Sequence, residues 1–352
     1  MAKVSVIVPI YGVEDDLEAA LDSILDQTME DLEIILVNDG SKDRCPQIID
    51  SYAAKDKRIK AIHKENGGYG HTMNVGLSNA TGEYIAIMEP DDYIDKNMYQ
   101  DLYNIAKKFD SDVVKSCFNR IQITNTKHIR KEQWSDEIPE DRSFTIFEYP
   151  YFLYYHPSVW TCLYKREFLN QHNIKFIEAP SAGWTDNPFQ VQTMCLAKKI
   201  NYTSKAYYNW QFPFAQDSDA LKDYTIPFIR SDEIHEWLDQ QNIKDKNILE
   251  QLYRRELSYI KFALNIRKIN NLQDCYSRVQ NMCKRMDKSI ILNSDYITKT
   301  EKNTYIQCLK NPAKYRFKQR LKEIRRNLIS IRFNQDGILI SLMGKNIINT
   351  KK

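Results

Sequence analysis

Apolar residues run almost unbroken from Val4 to Ile10 and again from Leu32 to Val37. Runs of this β-branched kind suit strands covered on both faces, as in a parallel sheet. Between them Leu17, Ala20, Leu21, Ile24 and Leu25 recur at helical spacing among acidic and polar residues, which predicts an amphipathic helix. Ile48, Ile49 and Tyr52 predict a second helix, residues 59–63 a short third strand, 71–79 a short helix and 83–88 a fourth strand. Strands alternating with helices imply right-handed crossovers and an α/β fold. Ligands of such sheets sit beyond the carboxyl ends of the strands. Tyr11, Asp39, Asn66 to Gly68 and the cluster Glu89, Asp91, Asp92 all fall at such ends, so they are expected to converge on one crevice.

The fourth strand ends in Met88-Glu-Pro-Asp-Asp92, three carboxylates in four residues. Hard divalent cations such as Mg²⁺ and Mn²⁺ prefer carboxylate oxygens, and one held by only one or two of them keeps positions open for phosphates. The same residues also suit an acidic turn in which Asp91 or Asp92 caps a following helix. Asp39, followed by Gly40, suits an Asx turn as well as a ligand contact. Asp186, in Thr-Asp-Asn-Pro, suits a helix N-cap with Pro188 at an early helical position. Trp160 and Trp184 offer flat faces for a sugar, or partly buried core.

Composition narrows the setting. The seven cysteines, at 45, 117, 162, 195, 275, 283 and 308, include no C-x-x-C pair, which favours reduced thiols over a zinc site or a disulfide frame. The amino-terminal apolar run reads as a strand rather than a signal peptide. No apolar stretch approaches the roughly 20 residues that span a bilayer, so a cytoplasmic protein is expected. Residues 120–158, rich in charge and aromatics, read as a hairpin or loop, and from about 226 onward the pattern turns helical. Near the end, nine Lys or Arg (310, 314, 316, 318, 320, 322, 325, 326 and 332) stand against Glu323 alone, nine minus one or +8. Phe317, Leu321, Ile324, Leu328 and Ile331 form an apolar stripe through them. A basic amphipathic helix of this kind fits an anionic membrane or a packed helix with its charges in water. The formal charge of the whole chain is only +3, so the patch is local, and no nucleic-acid partner is expected.

The motifs Pro9-Ile-Tyr-Gly-Val-Glu14, Val37-Asn-Asp-Gly-Ser41, Glu65-Asn-Gly-Gly68, Asn74-Val-Gly-Leu77 and Met88-Glu-Pro-Asp-Asp92 together resemble the family 2 glycosyltransferases of GT-A fold. The likeness is dense over residues 1–95, thins through 160–169 to 183–189, and carries no motif beyond about 225. It implies a Rossmann-like, mostly parallel central sheet in a GT-A domain over 1–225, divided into a nucleotide-sugar half (1–95) and an acceptor half (96–225), with a helical domain over 226–352. It further implies a hexosyltransferase of bacterial surface polysaccharide or glycoconjugate assembly. Such an enzyme moves a sugar from a nucleotide diphosphate donor, commonly a UDP-sugar, to a hydroxyl of a saccharide, lipid-linked saccharide or glycoprotein, with inversion and with Mn²⁺ or Mg²⁺. By the same resemblance, Pro9, Tyr11, Glu14 and Asp39 hold the base and ribose, and Asn66, Gly67 and Gly68 border the donor. Asp91 leads as metal ligand with Asp92 beside it, Glu89 aids the ribose or metal shell, and Asp186 is the general base. Trp160 and Trp184 are candidates for the acceptor.

Three departures stand out. Glu89 replaces the usual aspartate, Met73 stands where many members carry an arginine for the diphosphate, and Gly12 replaces a frequent asparagine. His71, or a basic side chain from elsewhere in the chain, would have to stand in for the arginine. A nucleotidyltransferase is disfavoured because no Gly-rich phosphate loop follows the first strand, and a dinucleotide oxidoreductase because G-x-G-x-x-G is missing. A degenerate, non-catalytic sugar-nucleotide binder is the remaining alternative.

Overall fold

The computed structural model describes every residue except 1, 124–126, 133–136, 181–182, 212–222, 267, 335–336, 343–344 and 352, and the side chains of 123, 127–128 and 325–351 are likewise left undescribed. Strands β1 (Val4–Ile10), β2 (Leu32–Asn38), β3 (Ile59–His63) and β4 (Tyr84–Ile87) alternate with helices α1 (Leu17–Leu25), α2 (Cys45–Lys55) and α3 (Tyr69–Asn79). These four strands are parallel, in the spatial order β3-β2-β1-β4. Every residue of β1 is buried, as its continuous apolar run requires. The helix α1 buries Leu17, Ala20, Leu21 and Ile24, the stripe its spacing predicts,. On α3, Gly76 lies so close to β1 that an added Cβ would come within 2.3 Å of the Ile7 side chain.

Beyond β4 the sheet changes character. It continues through β8 (Cys162–Lys165), β6 (Val113–Ile123) and β9 (Ile200–Gln211) to the two-residue β5 (Tyr93–Ile94), with β7 (Lys127–Glu132) paired on β6. The β4–β8, β8–β6 and β9–β5 pairings are antiparallel and β6–β9 is parallel. Helices α4 (Met98–Phe109), α5 (Arg166–Gln171) and α6 (Asp186–Leu196) complete this part. The helix after the acidic cluster opens at Met98, with β5 intervening, so neither Asp91 nor Asp92 caps it. The hairpin expected within 120–158 is formed by β6 and β7.

The chain divides into two compact units, Met1–Arg255 and Glu256–Lys352. The division falls within α8 (Lys246–Asn265) rather than at residue 225, and α7 (Ile226–Gln240) belongs to the first unit. The second unit holds the end of α8, α9 (Leu272–Arg285), α10 (Lys288–Asn293), α11 (Lys299–Lys310) and α12 (Pro312–Leu328). It closes with a three-stranded antiparallel sheet of β10 (Ile329–Asn334), β11 (Gly337–Leu342) and β12 (Lys345–Lys351). Two sequence expectations are therefore corrected. The end of the chain is not wholly helical, and the basic stripe over 310–332 is not one helix. Asn311 ends α11 and accepts the Lys314 N–H at 2.8 Å, and Pro312 opens α12, an N-cap followed by a helix-starting proline. Ile331 and Arg332 lie on β10, and the side chains of Arg325, Arg326, Leu328, Ile331 and Arg332 lie outside the described residues. All seven cysteines are buried and free. Among the described residues no helix is long and apolar enough to cross a membrane.

Candidate functional site

In the order β3-β2-β1-β4 the chain steps to one side of β1 and returns on the other. A crevice opens at that point, beyond the strands' carboxyl ends. It forms a cleft of about 510 Å³ lined by Pro9, Tyr11, Asp39, Asn66, Gly68 and Glu89 of the expected donor residues, and by Asp91. Tyr69 and Thr72, which the sequence reading did not single out, line it too. Tyr11 is 56% exposed at the rim, its ring available for stacking.

Asp39 organises the loop after β3. Its Oδ1 accepts the Gly67 N–H at 2.8 Å and pairs with the Lys64 ammonium, and its Oδ2 accepts the Gly68 N–H at 3.0 Å. At this strand end it is Asn38 that holds the turn, its Oδ1 accepting the Ser41 N–H at 3.0 Å. With one donor on Oδ2, the Asp39 carboxylate retains lone-pair capacity toward the cleft. Gly40, at φ +73°, lets the two loops meet, since a Cβ there would lie 2.9 Å from the Asn66 backbone nitrogen,. Lys64 was invisible in the sequence because a lone lysine after a strand looks like any surface lysine.

The acidic cluster splits. Asp91 opens to solvent in the cleft. Asp92 turns inward, 2% exposed, with Oδ1 accepting the Gln211 N–H at 2.7 Å and Oδ2 accepting the Tyr208 hydroxyl at 2.8 Å. Burial, with the Asp91 charge adding to it, pushes the Asp92 carboxyl up to about 8. Asp92 thus ties the cluster to β9 and does not line the cleft. The Tyr208 hydroxyl also accepts the Glu89 N–H at 3.1 Å. Glu89 receives the Tyr69 hydroxyl on Oε1 at 2.7 Å. Its carboxyl is pushed up to about 8 by burial and by the charges of Asp91 and Asp186, against the Tyr69 bond.

No group of three or more His, Cys, Asp or Glu side chains forms a metal cage among the described residues. The donor set is Asp91 with the remaining oxygen of Glu89. That set fits a hard cation held by one or two carboxylates and completed by phosphate oxygens; it does not fit a protein-only cage. The remaining candidates lie off the cleft wall. Glu14 accepts the Arg44 N–H at 2.7 Å and pairs with its guanidinium, which fastens the entry to α2. His71, in the first turn of α3, packs on Gly67 with its Nδ1 buried and without a hydrogen-bond partner. Met73 is wholly buried.

Asp186 is the first residue of α6, after Thr185 at the N-cap, and no side-chain capping bond is made there. Its Oδ1 accepts the Asn187 amide at 3.2 Å. Burial raises the Asp186 carboxyl above its ordinary range, with the Arg255 charge opposing. Its own charge acts on Glu89, Tyr69 and Tyr164, so Asp186 lies near the acidic cluster, although it is not among the described residues that line the cleft. Arg255, on α8 and 5% exposed, donates to Asn187 Oδ1 at 3.0 Å, Gln190 Oε1 at 2.6 Å and the Tyr155 carbonyl at 2.9 Å. It holds the first turn of α6 from a distant helix, which no local pattern signals. Trp184 is half-buried in a left-handed conformation at φ +53°, two residues before Asp186. Trp160 does not suit the acceptor role: it is 5% exposed, stacked on Tyr208 at 4.1 Å and edge-on to Phe118 at 4.9 Å. Packing takes up its faces, and it supports Tyr208 and through it the acidic cluster.

Residues 5–172 match the family profile described as Glycosyl transferase family 2. EpsJ of Bacillus subtilis, described as an uncharacterized glycosyltransferase, is 34% identical over 215 residues, 58% of this chain and 60% of that protein. The glycosyltransferase GlyA of Streptococcus pneumoniae is 30% identical over 217 residues, 59% of this chain but 30% of GlyA. The chain therefore spans under two thirds of the length of these relatives. The fold of TarS 1–349 of S. aureus, solved in complex with UDP-GlcNAc, matches with a TM-score of 0.71 at 22% identity, covering 97% of both chains. Profile and fold agree: residues 5–172 match the family 2 glycosyltransferases, within a fold like that of TarS 1–349, a GT-A architecture.

Proposed function

We propose that the protein transfers a sugar from a UDP-sugar to a hydroxyl acceptor with inversion, in assembly of a surface polysaccharide or glycoconjugate. The observation that supports this best is the meeting of Tyr11, Asp39, Glu89 and Asp91 in one cleft at the sheet's switch point, with Asp186 close enough for its charge to act on Glu89. Tyr11 stacks on the base and Asp39 accepts the imide N–H of uracil. Among the described residues none of the side chains lining the cleft is a Lys, Arg or His, so the diphosphate would rely on the amino-terminal end of α3 and on a cation beside Asp91. Asp91, with the remaining oxygen of Glu89, would hold a Mn²⁺ or Mg²⁺, which when bound would supply positive charge to the departing diphosphate. Asp186 takes the acceptor proton as its oxygen attacks the anomeric carbon from the face opposite the diphosphate. Trp184, at the mouth of α6, contacts the acceptor, a saccharide or lipid-linked saccharide.

A panel of sugar nucleotides, including UDP-GlcNAc, tests this reading with Mn²⁺ present and free UDP as the readout. Release of UDP from one UDP-sugar, dependent on the metal, is expected. A protein that binds a donor and releases no UDP with any sugar would be the non-catalytic binding module instead.

A further inference from the structure

Helix α12 packs with one face and leaves an apolar one bare. Tyr315 is buried and donates to or accepts from Thr304 of α11 at 3.1 Å. Arg316 and Arg320 reach the carbonyls that end α8, at Leu264, Asn265 and Ile266, with distances of 2.8–3.1 Å. These two arginines act as cationic caps of that helix, so their charge is committed inward. On the opposite side Phe317, Leu321 and Ile324 are 63%, 39% and 53% exposed. At spacings of four and three residues they form one continuous stripe. Lys314, Lys318 and Lys322 are exposed as well; the first two lie one turn before Phe317 and Leu321 on the same flank. The stripe is not disordered sequence but a regular helix turned with its apolar side outward.

We propose that the Phe317–Leu321–Ile324 face of α12 docks on an anionic lipid bilayer, with Lys314, Lys318 and Lys322 at the headgroups. Charge complementarity selects this occupant. Within α12 the described acid is Glu323 alone, and it pairs with Arg320 at 3.1 Å. A protein partner of ordinary composition would gain little from a lysine flank that stays in water, whereas a negatively charged surface gathers all three lysines at once. Lysine stems can lie along the apolar stripe with their ammonium groups at the phosphates, and the three apolar side chains enter the acyl boundary. The docking is separate from donor chemistry and brings the enzyme to the surface where a lipid-linked acceptor resides.

Each lysine near such a surface is worth about fivefold in affinity, so roughly 10²-fold for the three. The attraction reaches only about 8 Å at physiological salt and about 3 Å in molar salt. The test is co-sedimentation of the full chain with phosphatidylcholine vesicles, with and without a third of phosphatidylglycerol. Binding only to the anionic vesicles is expected, weakened by salt. K314Q/K318Q/K322Q should reduce it by about 10²-fold, and F317S/L321S/I324S should abolish it, while both variants release UDP in solution like the parent. Failure to bind either vesicle, or equal binding to both, overturns the proposal. So does a salt-insensitive dimer in sedimentation velocity that F317S/L321S/I324S dissociates, since the stripe then faces a second copy of the chain.

Discussion

Arg255 is the residue whose loss should report most on how Asp186, the proposed base, is held. Its buried guanidinium donates to Asn187, Gln190 and the Tyr155 carbonyl, with no carboxylate among the three. Arg255→Met would leave two buried amide oxygens without their donor. Hydrogen bonds from a charged donor contribute about 1.5–3 kcal/mol each, and water can recover the carbonyl bond at exposed Tyr155, so the net loss is about 3–6 kcal/mol. In a unit of this size that lowers Tm by roughly 10 °C. The catalytic effect has a definite sign. Asp186 accepts a proton only when ionised; burial raises its pKa and the Arg255 charge lowers it. Tyr69, Glu89 and Tyr164 also face it, and none of these brings a compensating positive charge. Removing Arg255 therefore raises the Asp186 pKa further, and the rising limb of kcat/KM against pH moves to higher pH. Arg255→Lys keeps the charge without the forked geometry, so it should return the limb toward its original position while leaving Tm low. The measurements are thermal unfolding and a pH profile of UDP release in the presence of acceptor. A Met variant with an unmoved limb and an unchanged Tm would refute the reasoning; a lowered Tm with an unmoved limb would leave Arg255 a purely structural clamp.

Two further outcomes follow from the same geometry. Asp186→Asn should keep the fold and donor binding, because no capping bond depends on it, yet lower turnover by roughly 10²-fold or more; near-normal turnover would remove it as the base. Trp160→Ala should destabilise by about 3–5 kcal/mol as a buried aromatic deletion, and Trp160→Phe should restore most of that with acceptor KM unchanged; a KM rise in a stable Phe variant would return Trp160 to the acceptor site.

The parallel half was legible because its strands are covered on both faces. A run such as Val4–Ile10, short and β-branched, suits a strand buried on both faces, and residues at the ends of such strands then fall into one crevice. Direction at those ends was not legible. Asp91 and Asp92 are neighbours with the same chemistry, yet one opens to the cleft and the other is drawn inward by Tyr208 and Gln211 of β9, more than a hundred residues on. Glu14 read as a donor contact because motif position says nothing of Arg44, which claims it. Arg255 and Lys64 carry no motif at all. The closing strands β10–β12 were absorbed into a helical reading because a basic apolar stripe at helical spacing ran through α12 into Ile331 and Arg332, and only the later Asp-Gly between apolar runs marks a hairpin.

The central claim is that the cleft binds a uridine diphosphate through a cation held by Asp91. Calorimetric titration of UDP into the wild-type chain and into Asp91→Ala, each with and without Mn²⁺, tests it directly. Binding to the wild-type chain should strengthen markedly with Mn²⁺, and in Asp91→Ala it should be weak and indifferent to the metal, since Asp39 and Tyr11 remain to hold the base. Metal-dependent binding that survives unchanged in Asp91→Ala would contradict the account.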